Sequence, residues 1–250
     1  MLNYNSSFYK RILNEPVYCF LIHTDWASES MLEFTINYFE SRNIKLTPYI
    51  TNPSEIIKTH YSGKKSKYVG LHPNFLPNSS HGSNYFEITE YITKLWPDAR
   101  SYACHCFYDN IRTTDLLFEK GLKYDSNLCL HLQPNIVPLN HCSGSIRFPV
   151  FFEDDIYARY KGNWSFSGIQ THFETPGLKL INFHPIHICL NTPDFEFYNS
   201  TKQKDLSNWN SYVFAGNGTY TFLEDLSNYI NNQNIQTYYL DELFDLCQKE

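Results

Sequence analysis

Histidines and carboxylates recur in this chain directly after apolar runs. HTDWASE (23–29) sets His23 and Asp25 behind the run VYCFLI, with Trp26 next. GLHPNFLPNSSHG (70–82) carries His72, Asn74 and His81, and ARSYACHCF (99–107) carries Arg100 and His105. FFEDD (151–155) supplies Glu153, Asp154 and Asp155, and FHPIHI (183–188) supplies His184 and His187. Any one of these has an ordinary explanation, since a lone strand-end histidine is commonly hydrogen-bonded structure and a lone Asp commonly caps a turn. Gathered at one place, they are donors suited to zinc or a similar divalent ion. They are also acid–base groups, able to take up or give a proton.

Such residues act together only if the elements bring them together. VYCFLI (17–22) reads as a buried strand. SESMLEFTINYFESRN (28–43) follows as a helix, with Met31, Phe34, Ile36, Tyr38 and Phe39 close to one stripe and Ser28 or Ser30 as its cap. IKLTPYIT (44–51) is the next strand, so the three form a βαβ unit with parallel strands. The alternation continues with a strand at 67–75, a helix at 85–97 stopped by Pro97, and a strand at 99–107. A helix at 113–121 with Gly121 as its C-terminal signal comes next, then strands at 122–130, 145–154 and 177–188. Residues 220–233 read as a helix, and 235–246 as a short strand or turn plus helix. The Asn-, Ser- and Thr-rich stretch 189–218 reads as a long loop, either a lid or a solvated excursion.

Seven parallel-type strands with intervening helices predict an α/β fold. The expected form is a barrel, complete or incomplete, and an open doubly wound sheet is the competitor. No Gly-rich phosphate loop follows the first strand, which counts against a nucleotide-binding sheet. In either architecture the C-terminal ends of parallel strands share one face, where active sites lie. Five of the seven strands end in a group from the set above.

Bulk properties narrow the function. The 250 residues suit one domain spanning 1–250. A formal charge of −6, with only the short basic stretch KKSK at 64–67, argues against a nucleic-acid partner. No run of about eighteen apolar residues exists, so no membrane span is expected. The opening MLNYNSSFYKRILNEP lacks a signal-peptide apolar core, which leads to the expectation of a cytoplasmic protein. Seven cysteines are an odd number, and the pair Cys104 and Cys106 has no second pair to complete a zinc ribbon, so reduced thiols are expected. The 20 Tyr and 19 Phe either face sugar rings around a cleft or fill the core.

The blocks TDWASE, GLHPNFLPNSSHG, ARSYACHC, GLKYDSN, FPVFFEDD and NFHPIHICLN together resemble the polysaccharide deacetylase superfamily. This is the carbohydrate esterase family 4-like group with the NodB-homology barrel. The resemblance is to the branch found with surface-polysaccharide synthesis genes, and it spans about residues 17–245. GLHPNFLP and FHPIHICLN are its more specific blocks. It implies a distorted (β/α)7 barrel and a divalent ion held by one Asp and two His. Zinc is the first expectation, with cobalt, nickel, manganese or magnesium as options. It also implies hydrolysis of an N- or O-acetyl group on a sugar or polysaccharide precursor.

Carried over residue by residue, the resemblance makes Asp25 and His72 metal ligands. The family's second histidine falls at Leu76, so His81 is the nearest replacement as third ligand and His105 the next. His23 stands where the family has its catalytic base, so Asp154 is the replacement base and His23 the alternative. Arg100 matches the arginine that orients the base, and His184 the general acid. Trp26, Asn74 and His187 are the candidates for contact with substrate. Because His23 and Leu76 depart from the pattern, two other readings stay open. One is a catalytically silent sugar-binding barrel, and the other an amidohydrolase acting on a non-sugar C–N bond.

Overall fold

The computed structural model describes residues 1–249. The strands in chain order are β1 (Pro16–His23), β2 (Leu46–Ile50), β3 (Gly70–Leu71), β4 (Ser101–Tyr102), β5 (Tyr124–Asp125), β6 (Leu139–Asn140), β7 (Ile146–Arg147), β8 (Phe152–Glu153), β9 (Gly177–Phe183) and β10 (Thr237–Tyr238). β1 is the central stave, buried from Val17 onward because β2, β9 and β10 pair with it and helices cover its outer face. Strands covered on both faces read as continuous apolar runs, as VYCFLI does.

The sheet runs β6-β7-β5-β4-β3-β2-β1-β9-β8, parallel throughout except at β6–β7. Its two flanks are joined by one stretch of chain. Residues 146–153 bond to β5 at one end, with Phe148 N–H donating to Asp125 C=O (2.7 Å). At the other end they bond to β9, with Phe151 N–H donating to Leu180 C=O (2.7 Å). β1, β2, β3, β4, β5, the stretch 146–153 and β9 therefore make seven staves of a curled sheet. This is the α/β architecture expected, a distorted (β/α)7 barrel with short staves on one side.

Most of the aromatic residues go into this core. Tyr18, Tyr49, Tyr102, Tyr124, Phe20, Phe39, Phe148, Phe151, Phe152, Phe173 and Phe183 are almost wholly buried. The core reading of the Tyr and Phe content therefore holds for most of them. The helix Glu29–Ser41 begins as expected, with Ser28 Oγ accepting from Met31 N–H. All seven cysteines are free. Among the described residues, no helix is long and apolar enough to cross a membrane.

Three expectations need correction. The stretch 177–188 is not one strand, because β9 stops at Phe183 and a helix, Pro185–Leu190, begins with proline at its first position. Proline has no N–H for a ladder and its fixed φ suits a helix start. The stretch 189–218 is not a bare loop. It holds the helix Phe195–Thr201 and a 3-10 turn Leu206–Tyr212, whose Tyr198 and Trp209 pack on Met31, Ile186 and Leu190. The strand expected over 145–154 is interrupted, and the helix Asp154–Arg159 starts at its end.

One ion network ties the fold to the site. Arg147 bonds to Asp125 (2.7 Å) and to Asp109 (2.6 Å). Asp125 accepts from Asn127 N–H, and Asn127 Oδ1 accepts from Cys104 N–H while its amide donates to Tyr108 C=O. The loop carrying His105 is thus pinned on both sides. Arg147→Met leaves Asp125 buried without its cation, so a loss of about 3–5 kcal/mol in unfolding free energy is expected. Urea denaturation measures it, and a change within about 0.5 kcal/mol would contradict the account.

Candidate active site

Asp25, His72 and His105 arrive from the ends of β1, β3 and β4. His72 Nε2 lies 2.9 Å from Asp25 Oδ2, and His105 Nδ1 lies 2.7 Å from the same oxygen. The second oxygen, Oδ1, accepts from Thr51 Oγ1 at 2.7 Å, which fixes the carboxylate's rotation. One ligand atom from each of the three residues falls within 4.8 Å of the others. Burial alone would raise the Asp25 pKa, but His72 and His105 outweigh it and hold the group well below the usual carboxylate range. The hydrogen bond to Asp25 lifts His105 to about 10.

Two loops of this cluster keep strained backbone just past the ligand. Trp26 has φ 60°, and Cys106 and Phe107 have φ 55° and 50°. Left-handed conformations cost L-residues about 1–2 kcal/mol each, and such strain concentrates at functional sites. At Trp26 the turn leaves the indole 72% exposed at the rim.

A second group of side chains lies behind the first. His23 is buried, and its ring centroid is 4.2 Å from that of His72 and 5.3 Å from that of His184. Asn182 Nδ2 lies 3.0 Å from His23 Nδ1, while His23 Nε2 is buried with no protein partner. Burial, and then the charges of His72 and His184, push the His23 pKa well below its ordinary value. Asp154 is fully buried and holds His184 at two points. Its Oδ2 accepts from His184 N–H (2.8 Å), and its Oδ1 lies 2.7 Å from His184 Nδ1. Burial opposes the imidazolium, yet Asp154 and Asp155 raise His184 to about 9. A ring held this way carries its working proton on Nε2.

The ligand cluster stands where two cavities meet. The outer one, about 430 Å³, is lined by Trp26, Asn74, Thr51 and Ser80 among others, and reaches Asp25 and His105. The inner one, about 200 Å³, also reaches Asp25 and His105, and adds His23, His72, Glu153, Asp155, Arg159 and His184. A larger hollow of about 740 Å³ around Phe75, Tyr85 and Tyr108 lies beside them but touches none of the ionisable groups above.

The structure thus gathers Asp25, His72, His23 and His184 at the inner cavity and Trp26 and Asn74 at the outer one. It moves four other expectations. His81 is not in the metal-type cluster, and His105 takes that place. The His81 ring accepts from Asn74 N–H through Nδ1 (3.1 Å) and stacks on Tyr91, so it braces its own loop. Asp154 is not free to act as base, because both its oxygens serve His184. Arg100 is at the wrong end of its strand. It precedes β4 and pairs with Asp241 (2.5 Å) and Asp245 (2.9 Å). His187 sits on the helix after β9, bonded to Thr192 and packed on Tyr198, and burial takes it down to about 4. It is absent from the lining of both cavities at the cluster.

Sequence reading missed the anchoring role of Arg147. Its signal was position, since Arg147 ends β7 on the same face as Asp125 at the end of β5.

Comparison with known proteins agrees with this fold. Residues 21–202 match the family model described as WbmS-like polysaccharide deacetylase. Among solved structures, the fold is similar to a proposed polysaccharide deacetylase involved in O-antigen biosynthesis from Bordetella bronchiseptica. That match has a TM-score of 0.76 and 24% identity, and covers 85% of this chain and 90% of that one. The fold is also similar to the Bc1960 peptidoglycan N-acetylglucosamine deacetylase, with a TM-score of 0.51, 10% identity, and coverage of 99% and 93%. At these identities the likeness shows a shared fold. No curated protein matches the sequence.

Proposed function

Because the chain belongs to the WbmS-like polysaccharide deacetylase family, a family of sugar-deacetylating hydrolases, we propose that it removes an acetyl group from an amino sugar or polysaccharide precursor in a metal-dependent reaction. One domain, residues 1–250, does the work. The observation that carries this reading is the convergence of Asp25, His72, His105 and His184 at one cavity, with Asp154 buried behind His184.

Two imidazoles and one carboxylate fit a divalent ion, and they favour zinc, or cobalt and nickel after it, over magnesium or manganese. When bound, the ion supplies Lewis acidity, polarising the acyl carbonyl and lowering the pKa of water toward about 7. Thr51 holds Asp25 in the orientation that leaves Oδ2 toward the histidines. The outer cavity seats the sugar, with Trp26 offering an exposed ring face at the rim and Asn74 a polar edge. The acetyl group then points into the inner cavity. His184, protonated at Nε2 and held by Asp154, gives its proton to the departing sugar nitrogen or oxygen.

The experiment is acetate release from N-acetylated amino sugars presented free, as oligosaccharides and linked to a nucleotide, with zinc- or cobalt-loaded protein. Acetate should appear with at least one form and be lost in Asp25→Asn. Acetate release that Asp25→Asn leaves unchanged would refute metal-dependent deacetylation at this site, and so would a failure to release it from every form.

A further inference from the structure

The proposed reaction still needs a group to take the proton of the attacking water, and the structure removes the expected ones. Asp154 is committed to His184 through both oxygens. His23, at the position of the family's base, has Nδ1 against the Asn182 side-chain amide, and with the amide nitrogen as donor the ring proton is on Nε2. A ring with its proton directed into the cavity donates there and cannot also accept.

Two carboxylates remain at the inner cavity, Glu153 and Asp155, and the one grouped with the His23 ring is Glu153. It ends β8, is 4% exposed, and lines the inner cavity together with Asp25, His72 and His105. One of its oxygens, the His23 ring and the His184 ring present ligand-type atoms within 4.8 Å of one another. Glu153 Oε2 and His23 Nε2 are both buried without a protein partner. Buried polar atoms without partners are rare and mark places where a ligand, ion or reacting group is met. Here an acceptor and a donor belong to residues that line one small cavity, and a water between them would be held by both.

Resting on the proposed deacetylation, the geometry points to Glu153 as the general base for the attacking water, with Asp155 beside it as a positioning residue. As the water oxygen bonds to the acyl carbon, its proton passes to the Glu153 carboxylate. As the C–N or C–O bond breaks, the electron pair stays on the sugar heteroatom, which takes the Nε2 proton of His184. Acetate and the free amine or alcohol leave. Glu153 then holds one proton more and His184 one fewer. Their spacing lets that proton return to His184 through one water, which restores both groups.

The charged neighbours set the pH behaviour. Glu153 faces His23 from β1, His184 from the turn after β9, Cys129 from the adjacent segment, and Asp154, Asp155 and Arg159 from the helix that follows it. Burial, then the negative charge of Asp155, raises the Glu153 pKa well above that of an ordinary glutamate. A base of this kind is lost as pH falls through its pKa, so it gives the acidic limb of the rate profile.

The test uses the zinc-loaded full chain and 4-nitrophenyl acetate, whose leaving group needs no proton, with the sugar substrate in parallel. Glu153→Gln should lower kcat about 10²–10⁴-fold, keep the wild-type metal content and remove the acidic limb. Asp155→Asn should retain more activity and move that limb to lower pH. Glu153→Asp, a fallback if the Gln variant misfolds, keeps a carboxylate and so should keep the limb at reduced kcat. Wild-type kcat in a metal-loaded Glu153→Gln protein overturns the assignment. So does an acidic limb that persists in Glu153→Gln and vanishes in His23→Gln. If the wild type itself releases no acetate from either substrate, the deacetylase reading has failed and this one with it.

Discussion

His184→Gln is expected to slow acetate release from an N-acetylated sugar by about 10²–10⁴-fold while leaving the metal content unchanged. An amine leaves poorly as an anion, so the amide reaction needs the proton that His184 carries. A 4-nitrophenolate leaves readily without one. The same variant should therefore hydrolyse 4-nitrophenyl acetate within a few-fold of wild type. A merely structural histidine would slow both substrates together. The pH profile adds a sign. An acid is lost as pH rises through its pKa, so His184, raised to about 9, sets the basic limb. Asp154→Asn removes the carboxylate that supports the imidazolium, and the basic limb should move to lower pH. A limb that stays in place would mean that another group is the acid.

Replacing His105 with alanine should cut metal-supported acetate release by about 10²–10³-fold, since Lewis-acid stabilisation is worth several kcal/mol and each 1.36 kcal/mol is tenfold. His81→Ala should act differently. It removes the acceptor for Asn74 N–H and the ring on Tyr91, so it loosens the loop 73–84 and costs stability more than turnover. A titration of activity against added zinc separates the two. The His105 variant needs far more zinc or never recovers, whereas the His81 variant saturates as wild type does. The reverse order would restore His81 as the third ligand.

The sequence carried much of this site for physical reasons. VYCFLI is apolar on both faces because both faces are covered, so β1 was readable, and with it the emergence of His23 and Asp25 at its end. His72 and His184 were readable in the same way. Arg100 was misplaced although a signal existed, because it precedes its strand and the C-terminal ends hold the chemistry. Pro185 likewise announced a helix that carries His187 away from the cavity. The exchange of His81 for His105 was not legible. Each lies on a loop that follows a strand, and what decides between them is the bond from His105 to Asp25 and the capture of the His81 ring by Asn74 and Tyr91. The roles of Glu153 and Asp154 turn on where the chain leaves β8 for the helix. A strand drawn through residue 154 hides that boundary.

The central claim is that Asp25, His72 and His105 hold a divalent ion on which deacetylation depends. Elemental analysis of the purified protein after dialysis against zinc or cobalt, beside Asp25→Asn treated alike, tests it most directly. The account predicts about one ion per wild-type chain and a large loss in the variant. No bound metal in the wild type, or equal metal in both proteins, would contradict it.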